Sequence, residues 1–134
     1  MNYYLIMKLI ISISLMIVAI IHILPLFGAQ GNNALNKMYG LVIEESNLSI
    51  LMRHRAILFG IVAMILIYAI FFPMYRPIAI LIGFVSVISF LILAWSVGGI
   101  NDPLKRVVIA DLIALISLII ATSAYLMQIY QDQR

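Results

Sequence analysis

Val107-Val-Ile-Ala-Asp111-Leu-Ile-Ala-Leu-Ile-Ser-Leu-Ile-Ile-Ala-Thr-Ser-Ala-Tyr-Leu-Met127 decides the fold. At about 1.5 Å of rise per residue, a helix of this run matches a hydrocarbon core of ~30 Å. It carries one acid, Asp111, and no base. Three further runs are equally apolar. Helices are expected over about 8–27, 49–72, 77–97 and 103–128, in a single transmembrane domain spanning 1–134. The composition agrees, with 66% hydrophobic and 10% charged residues, where a soluble domain carries about 25% charged. The expected fold class is an all-α integral membrane protein, an antiparallel up-down-up-down four-helix transmembrane bundle with both termini on one side.

The connections support that reading. Leu9 to Phe27 resembles a signal peptide, but cleavage after Ala29 would place bulky Phe27 at −3, so an uncleaved span ended by Pro25 and Gly28 is expected. Gly31-Asn32-Asn33 reads as a turn, and Asn36 to Leu41 as a short interfacial helix with Tyr39 at headgroup level. Ser46, Asn47 or Ser49 would cap the second span. Pro73 to Pro77 is a tight turn, with Pro77 in the first turn of the third span. Trp95 is an interface anchor, Gly98-Gly99 breaks the third helix, and Asp102-Pro103 reads as N-cap and N1 of the fourth. Small residues at helical spacing mark packing faces: Ala56, Gly60 and Ala63; Ala79, Gly83 and Ser86; Ala114 and Ala121.

The charges are lopsided. Lys37, Glu44, Glu45, Arg53, His54, Arg55, Asp102, Lys105 and Arg106 gather at one end of the expected bundle, with His22 and Asp111 nearby. Lys8, Arg76, Asp132 and Arg134 mark the other. An ionisable side chain at membrane depth is costly unless paired, so Asp111 needs a partner and is a functional-site candidate. Arg55 and Asp111 each lie about 12 Å into their helices, which puts them at one level. Asp111 is expected to pair with Arg53 or Arg55, either as a lock between two helices or as a tuned site carboxylate. Arg53-His54-Arg55 spans about 200° of helix surface, so at least one arginine turns to headgroups. The expected polar pocket comprises Asp111, Arg53, His54, Arg55, His22, Glu44, Glu45, Asn101, Lys105 and Arg106. Gly98 to Arg106, a glycine turn into a basic helix start, suits an anion such as a lipid phosphate.

Several chemistries lack support. There is no cysteine, hence no disulfide or thiolate chemistry. His22 and His54 have no metal-ligand spacing, so no metal is expected. No catalytic triad or nucleotide loop is present, the serines within spans are read as distant from any base, and no catalytic residue or cofactor is assigned. The net charge of +3 is spread over loops and gives no nucleic-acid patch. Lys37, Arg53, Arg55, Lys105 and Arg106 outnumber Lys8, Arg76 and Arg134, which by the positive-inside rule puts the polar end in the cytoplasm and both termini outside; if Arg53 and Arg55 face the bundle as site residues, the count is three against three.

Met38-Tyr-Gly40, Leu51-Met-Arg-His-Arg-Ala-Ile-Leu-Phe-Gly60, Gly83-Phe-Val-Ser-Val-Ile-Ser-Phe90, Ala94-Trp-Ser-Val-Gly-Gly-Ile-Asn101 and Arg106-Val-Val-Ile-Ala-Asp111 together resemble a group of small four-span bacterial inner-membrane proteins, loosely like the DoxX-type bundles. The resemblance covers nearly the whole chain and implies a multi-pass protein of the bacterial inner membrane, with no activity to carry over. Members often bear the label phosphopantetheine adenylyltransferase. That enzyme is a soluble α/β protein with a phosphate-binding HxGH loop; this chain has no such loop, and the label is not expected to apply. The leading expectation is a non-enzymatic membrane protein. It would be an accessory or assembly subunit, or a binder of an anionic lipid or quinone-like amphiphile. Membrane lipids, a protein partner or a second copy are the expected partners. The alternatives are a small enzyme moving protons on a lipophilic substrate through Asp111 and a histidine, or an oligomeric transporter.

Overall fold

The computed structural model describes residues 2–133. Helix α1 (Tyr3–Ile23) runs into a 3₁₀ segment (Leu24–Gln30). Then follow α2 (Asn32–Tyr39), α3 (Ser46–Phe71), a 3₁₀ turn (Pro73–Tyr75), α4 (Arg76–Val97) and α5 (Asp102–Asp132). Four stretches are long and apolar enough to cross a membrane: Tyr3–Gln30, Ser46–Phe71, Pro73–Val97 and Asp102–Asp132. Among the described residues there is no strand.

The apolar runs set the helices; local chemistry sets their ends, and there the structure corrects the sequence. α1 starts at Tyr3, ahead of Lys8, because Tyr3 to Met7 extend the apolar run without a breaker, and Lys8 projects from the exposed outer face. Pro25, which cannot donate a backbone hydrogen bond, tightens the last turns into the 3₁₀ segment. α2 begins at Asn32 rather than Asn36. Asn32 and Asn36 sit one turn apart and both hold the following segment. Asn32 Nδ2 donates to the Ile43 carbonyl at 3.0 Å, and the Ile43 amide donates to Asn36 Oδ1 at 2.9 Å. Ser49 Oγ donates to Asn32 Oδ1. A helix over the whole interval aligns these two asparagines, and the expected turn gives way to it.

The caps also move by a residue. Glu45, not a serine, caps α3: its carboxylate accepts from the Asn47 and Leu48 amides at 2.9 and 2.6 Å. Two carboxylate oxygens meet two free donors at the positive end of the helix, which a hydroxyl cannot do. Those bonds hold the Glu45 carboxyl below the usual carboxylate range. Asn101 caps α5 through Oδ1 to the Leu104 amide at 2.9 Å, which makes Asp102 the first helical residue and Pro103 the second.

α1 packs on α3 and α5, and α4 packs on the same two, so the four long helices form a closed ring of chain neighbours. The main core runs through Ile11, Leu15, Val18, Leu66, Val87 and Leu118. Gly83 lets the Leu118 side chain approach to where a Cβ would meet it at 2.9 Å, and Gly60 does the same for Leu26. A second, smaller cluster of Leu35, Tyr39 and Ile43 fixes α2 over the start of α5, against Leu104 and Val107. Gly40 turns the chain there with φ +63°, its Cα against Pro103. Large apolar side chains such as Ile13, Ile61, Val85 and Ile116 cover the outer surface. For water this is a poor surface; for lipid it is a solvated one.

Candidate functional site

Where α2 lies over the ring, the helices line an open pocket of about 250 Å³, with Lys37 and Arg106 exposed at its mouth and Arg55 half-buried. α3 supplies Arg55 and Phe59, α5 supplies Arg106, Val107 and Asp111, α2 supplies Lys37 and Tyr39, and α1 supplies His22. Phe90, Ile21 and Leu24 complete a largely apolar wall. Three cations therefore face one carboxylate across an apolar chamber.

Arg55 is held by rings. Its guanidinium lies 5.0 Å from the centroid of Phe59, one turn on, and 5.3 Å from that of Tyr39. Such cation–π contacts are stronger when water is excluded. The expected ion pair with Asp111 is not formed. Among the described residues the one ion pair within 4 Å is Lys105–Asp102, 2.8 Å apart on the exposed surface. Arg55 and Asp111 interact electrostatically across the chamber without touching. The physical reason is the aromatic clamp, which satisfies Arg55 on its own wall. Its N–H groups and the Asp111 carboxylate accordingly keep their capacity for a third body.

His22 is 2% exposed and fully partnered. Its Nδ1 lies 2.8 Å from the Val18 carbonyl, and its Nε2 lies 2.9 Å from Ser86 Oγ. A carbonyl only accepts, so Nδ1 carries the proton and Nε2 of the neutral ring accepts from the serine hydroxyl. The sequence reading placed the serines of the spans far from any base. Ser86 corrects it: this bond ties α1 to α4 across the ring. The Phe59 ring stands 5.7 Å from the imidazole.

The other expected site residues lie outside the chamber. Arg53 is exposed, and its Nε donates to the Ala29 carbonyl at 3.0 Å, at the end of the 3₁₀ segment. His54 and Glu44 are exposed, and Glu45 is spent on the α3 cap. Lys105 faces Asp102. Asn101 does not line the cavity but positions it: its Nδ2 donates to the Tyr39 carbonyl at 2.8 Å, fixing the end of α2 that carries Tyr39. Lys37, Tyr39, Phe59 and Phe90 were missed by sequence. Two of them had a signal: Lys37 belongs to the charged end, and Phe59 lies four residues after Arg55, where side chains share a helix face. Among the described residues no group of three histidines or acids is placed to hold a metal ion.

Arg76 departs most from expectation. Read as a charge beside the turn at the sparse end, it is instead 1% exposed, the bulkiest of the enclosed side chains. It meets Gln128, roughly five turns and about 25 Å beyond Asp111 along α5. The molecule thus has two charged regions, far apart. No family model, curated protein or solved structure matches the chain.

Proposed function

We propose that the chain is an antiparallel up-down-up-down four-span protein of the bacterial inner membrane, of the kind it resembles, and that it binds an anionic amphiphile. The headgroup sits between Arg55, Arg106 and Lys37, and the apolar tail leaves along Phe59, Phe90 and Ile21. The observation that carries this reading is the chamber itself, with three cations and one carboxylate on an apolar wall. Its volume, about 250 Å³, is small for a ligand site. It suits a headgroup and the first carbons of a chain whose remainder lies in lipid. A quinone head, uncharged, would leave those cations without a use.

The role is binding, with no chemical step assigned. Counted whole, the pocket end carries Lys37, Arg53, Arg55, Lys105 and Arg106 against Lys8, Arg76 and Arg134, which favours a cytoplasmic pocket end; with pocket-lining Lys37, Arg55 and Arg106 and enclosed Arg76 set aside, the count is two against two. The test is to purify the protein in mild detergent and identify what accompanies it by mass spectrometry. One anionic lipid per chamber is expected, and an Arg55→Ala/Arg106→Ala variant should lose that one. A stoichiometric protein partner with no lipid would favour an assembly subunit instead.

One observation favours a second reading, proton transfer on a lipophilic substrate: His22 and Asp111 line the same chamber, and His22 holds a hydroxyl at 2.9 Å. That reading requires a turnover that His22→Gln abolishes while the lipid remains bound.

A further inference from the structure

Arg76 opens α4 and is closed off from solvent on every side. Its Nη1 donates to Gln128 Oε1 at 3.5 Å, the outer limit of a hydrogen bond. Its Nε and Nη2 are buried with no partner. Among the described residues no acid lies within ion-pair distance of it. A guanidinium stays protonated at any accessible pH, so it cannot escape burial by neutralising as a lysine can. An enclosed, unpaired charge costs more than one long hydrogen bond returns.

The neighbours of Arg76 complement an anion. Gln128 accepts through its oxygen, which leaves its amide nitrogen to donate. The positive end of the α4 dipole adds to the same field. A planar fork with two free N–H groups matches a phosphate oxygen pair.

We propose that Arg76 and Gln128 form a second anion site, at the far end of the bundle from the chamber, for a phosphate-type oxyanion carried by a lipid headgroup or free in solution. Arg76 is enclosed, so the anion enters only when the packing around the start of α4 opens. The site does not depend on the chamber's ligand.

The experiment follows thermal unfolding of the detergent-purified protein in chloride buffer while inorganic phosphate, or separately dihexanoyl phosphatidylglycerol, is titrated in. Wild type and an Arg55→Gln/Arg106→Gln background, in which the chamber is disabled, are compared. Stabilisation in both proteins is expected. A response to both probes shows that the free oxyanion suffices, and a response to the lipid alone shows that the headgroup needs its tail; either supports the site. Arg76→Gln is expected to weaken the response about tenfold or more, the loss of two charge-assisted bonds. In the Arg55→Gln/Arg106→Gln background, an undiminished response when Arg76→Gln is added, or no response to either probe before it is added, overturns the proposal. So does a response absent throughout while Arg76→Gln alters the oligomeric state by light scattering, which would identify a second copy's carboxylate as the partner. Should Arg76→Gln fail to fold, Gln128→Leu keeps the charge and removes the amide; a response unchanged by it overturns the site equally.

Discussion

Arg55 and Arg76 are the same residue on neighbouring helices, handled in opposite ways. Arg55 is half-buried, lies against two aromatic rings, and faces a carboxylate across open space. Arg76 is enclosed, with one long hydrogen bond and two unpartnered nitrogens. A charge on the wall of a chamber can keep its rings and still serve a ligand. A charge sealed in a packed interface is a liability until something answers it. The contrast separates a region built around a space from one built around a missing counter-charge.

The largest effect should come from swapping each arginine for methionine, similar in length and uncharged. In phosphate-free detergent, Arg76→Met is expected to raise stability by about 1–4 kcal/mol, the range seen when buried ions give way to packed apolar side chains. Arg55→Met is expected to lower it by about 1 kcal/mol through the lost cation–π contacts. Thermal unfolding followed by Trp95 and tyrosine fluorescence reads both. If the two variants shift in the same direction, the contrast fails.

Asn101 holds the chamber end together, since it caps α5 and ties down the end of α2. Asn101→Ala should cost about 1–2 kcal/mol, and hydrogen exchange should rise in α2 while the Arg76 end stays protected. Uniform loosening across all helices would mean that α2 is not a separately anchored element.

A smaller effect concerns Arg55 and Asp111. Because they do not touch, a double-mutant cycle of Arg55→Ala and Asp111→Asn should give a coupling below about 1 kcal/mol, where a contact pair in this setting would exceed it. A larger value would restore the direct ion pair that the sequence suggests.

The smallest is the pH dependence of the α3 cap. The Glu45 carboxyl is held below its ordinary range, so its contribution is present above that range and fades as pH falls through the depressed folded value. Wild type and Glu45→Ala should therefore converge in the protection of the first turn of α3 on acidification. A gap unchanged down to acid pH would remove the cap from the account.

The four spans were readable because an apolar run as long as Val107 to Met127 admits few structures other than a helix in lipid. The ends were less so. Glu45 and Asn101 cap in place of their neighbours because side-chain reach and backbone angle choose among adjacent candidates. The start of α2 depends on contacts with Ile43 and Ser49 that only the fold creates. At the chamber, His22, Arg55, Arg106 and Asp111 stood out as polar residues in or beside apolar runs. Phe90 and Tyr39 did not, since an aromatic residue facing a cavity has the same local sequence as one facing lipid, and Phe59 was marked only by its spacing from Arg55. Arg76, beside a proline turn, resembles any loop cation; the fold encloses it beside Gln128 of α5, and no local pattern records that.

The central claim, an anionic amphiphile held by the cations of the chamber, is tested most directly by native mass spectrometry of the detergent-purified protein with equal amounts of phosphatidylglycerol and phosphatidylcholine. The account predicts preferential retention of the anionic lipid. It also predicts retention about a hundredfold weaker in Arg55→Ala/Arg106→Ala, the loss of two charge-assisted contacts, and retention at the chamber unaffected by Arg76→Gln. Equal retention of both lipids, or a double variant that binds as wild type does, would contradict it.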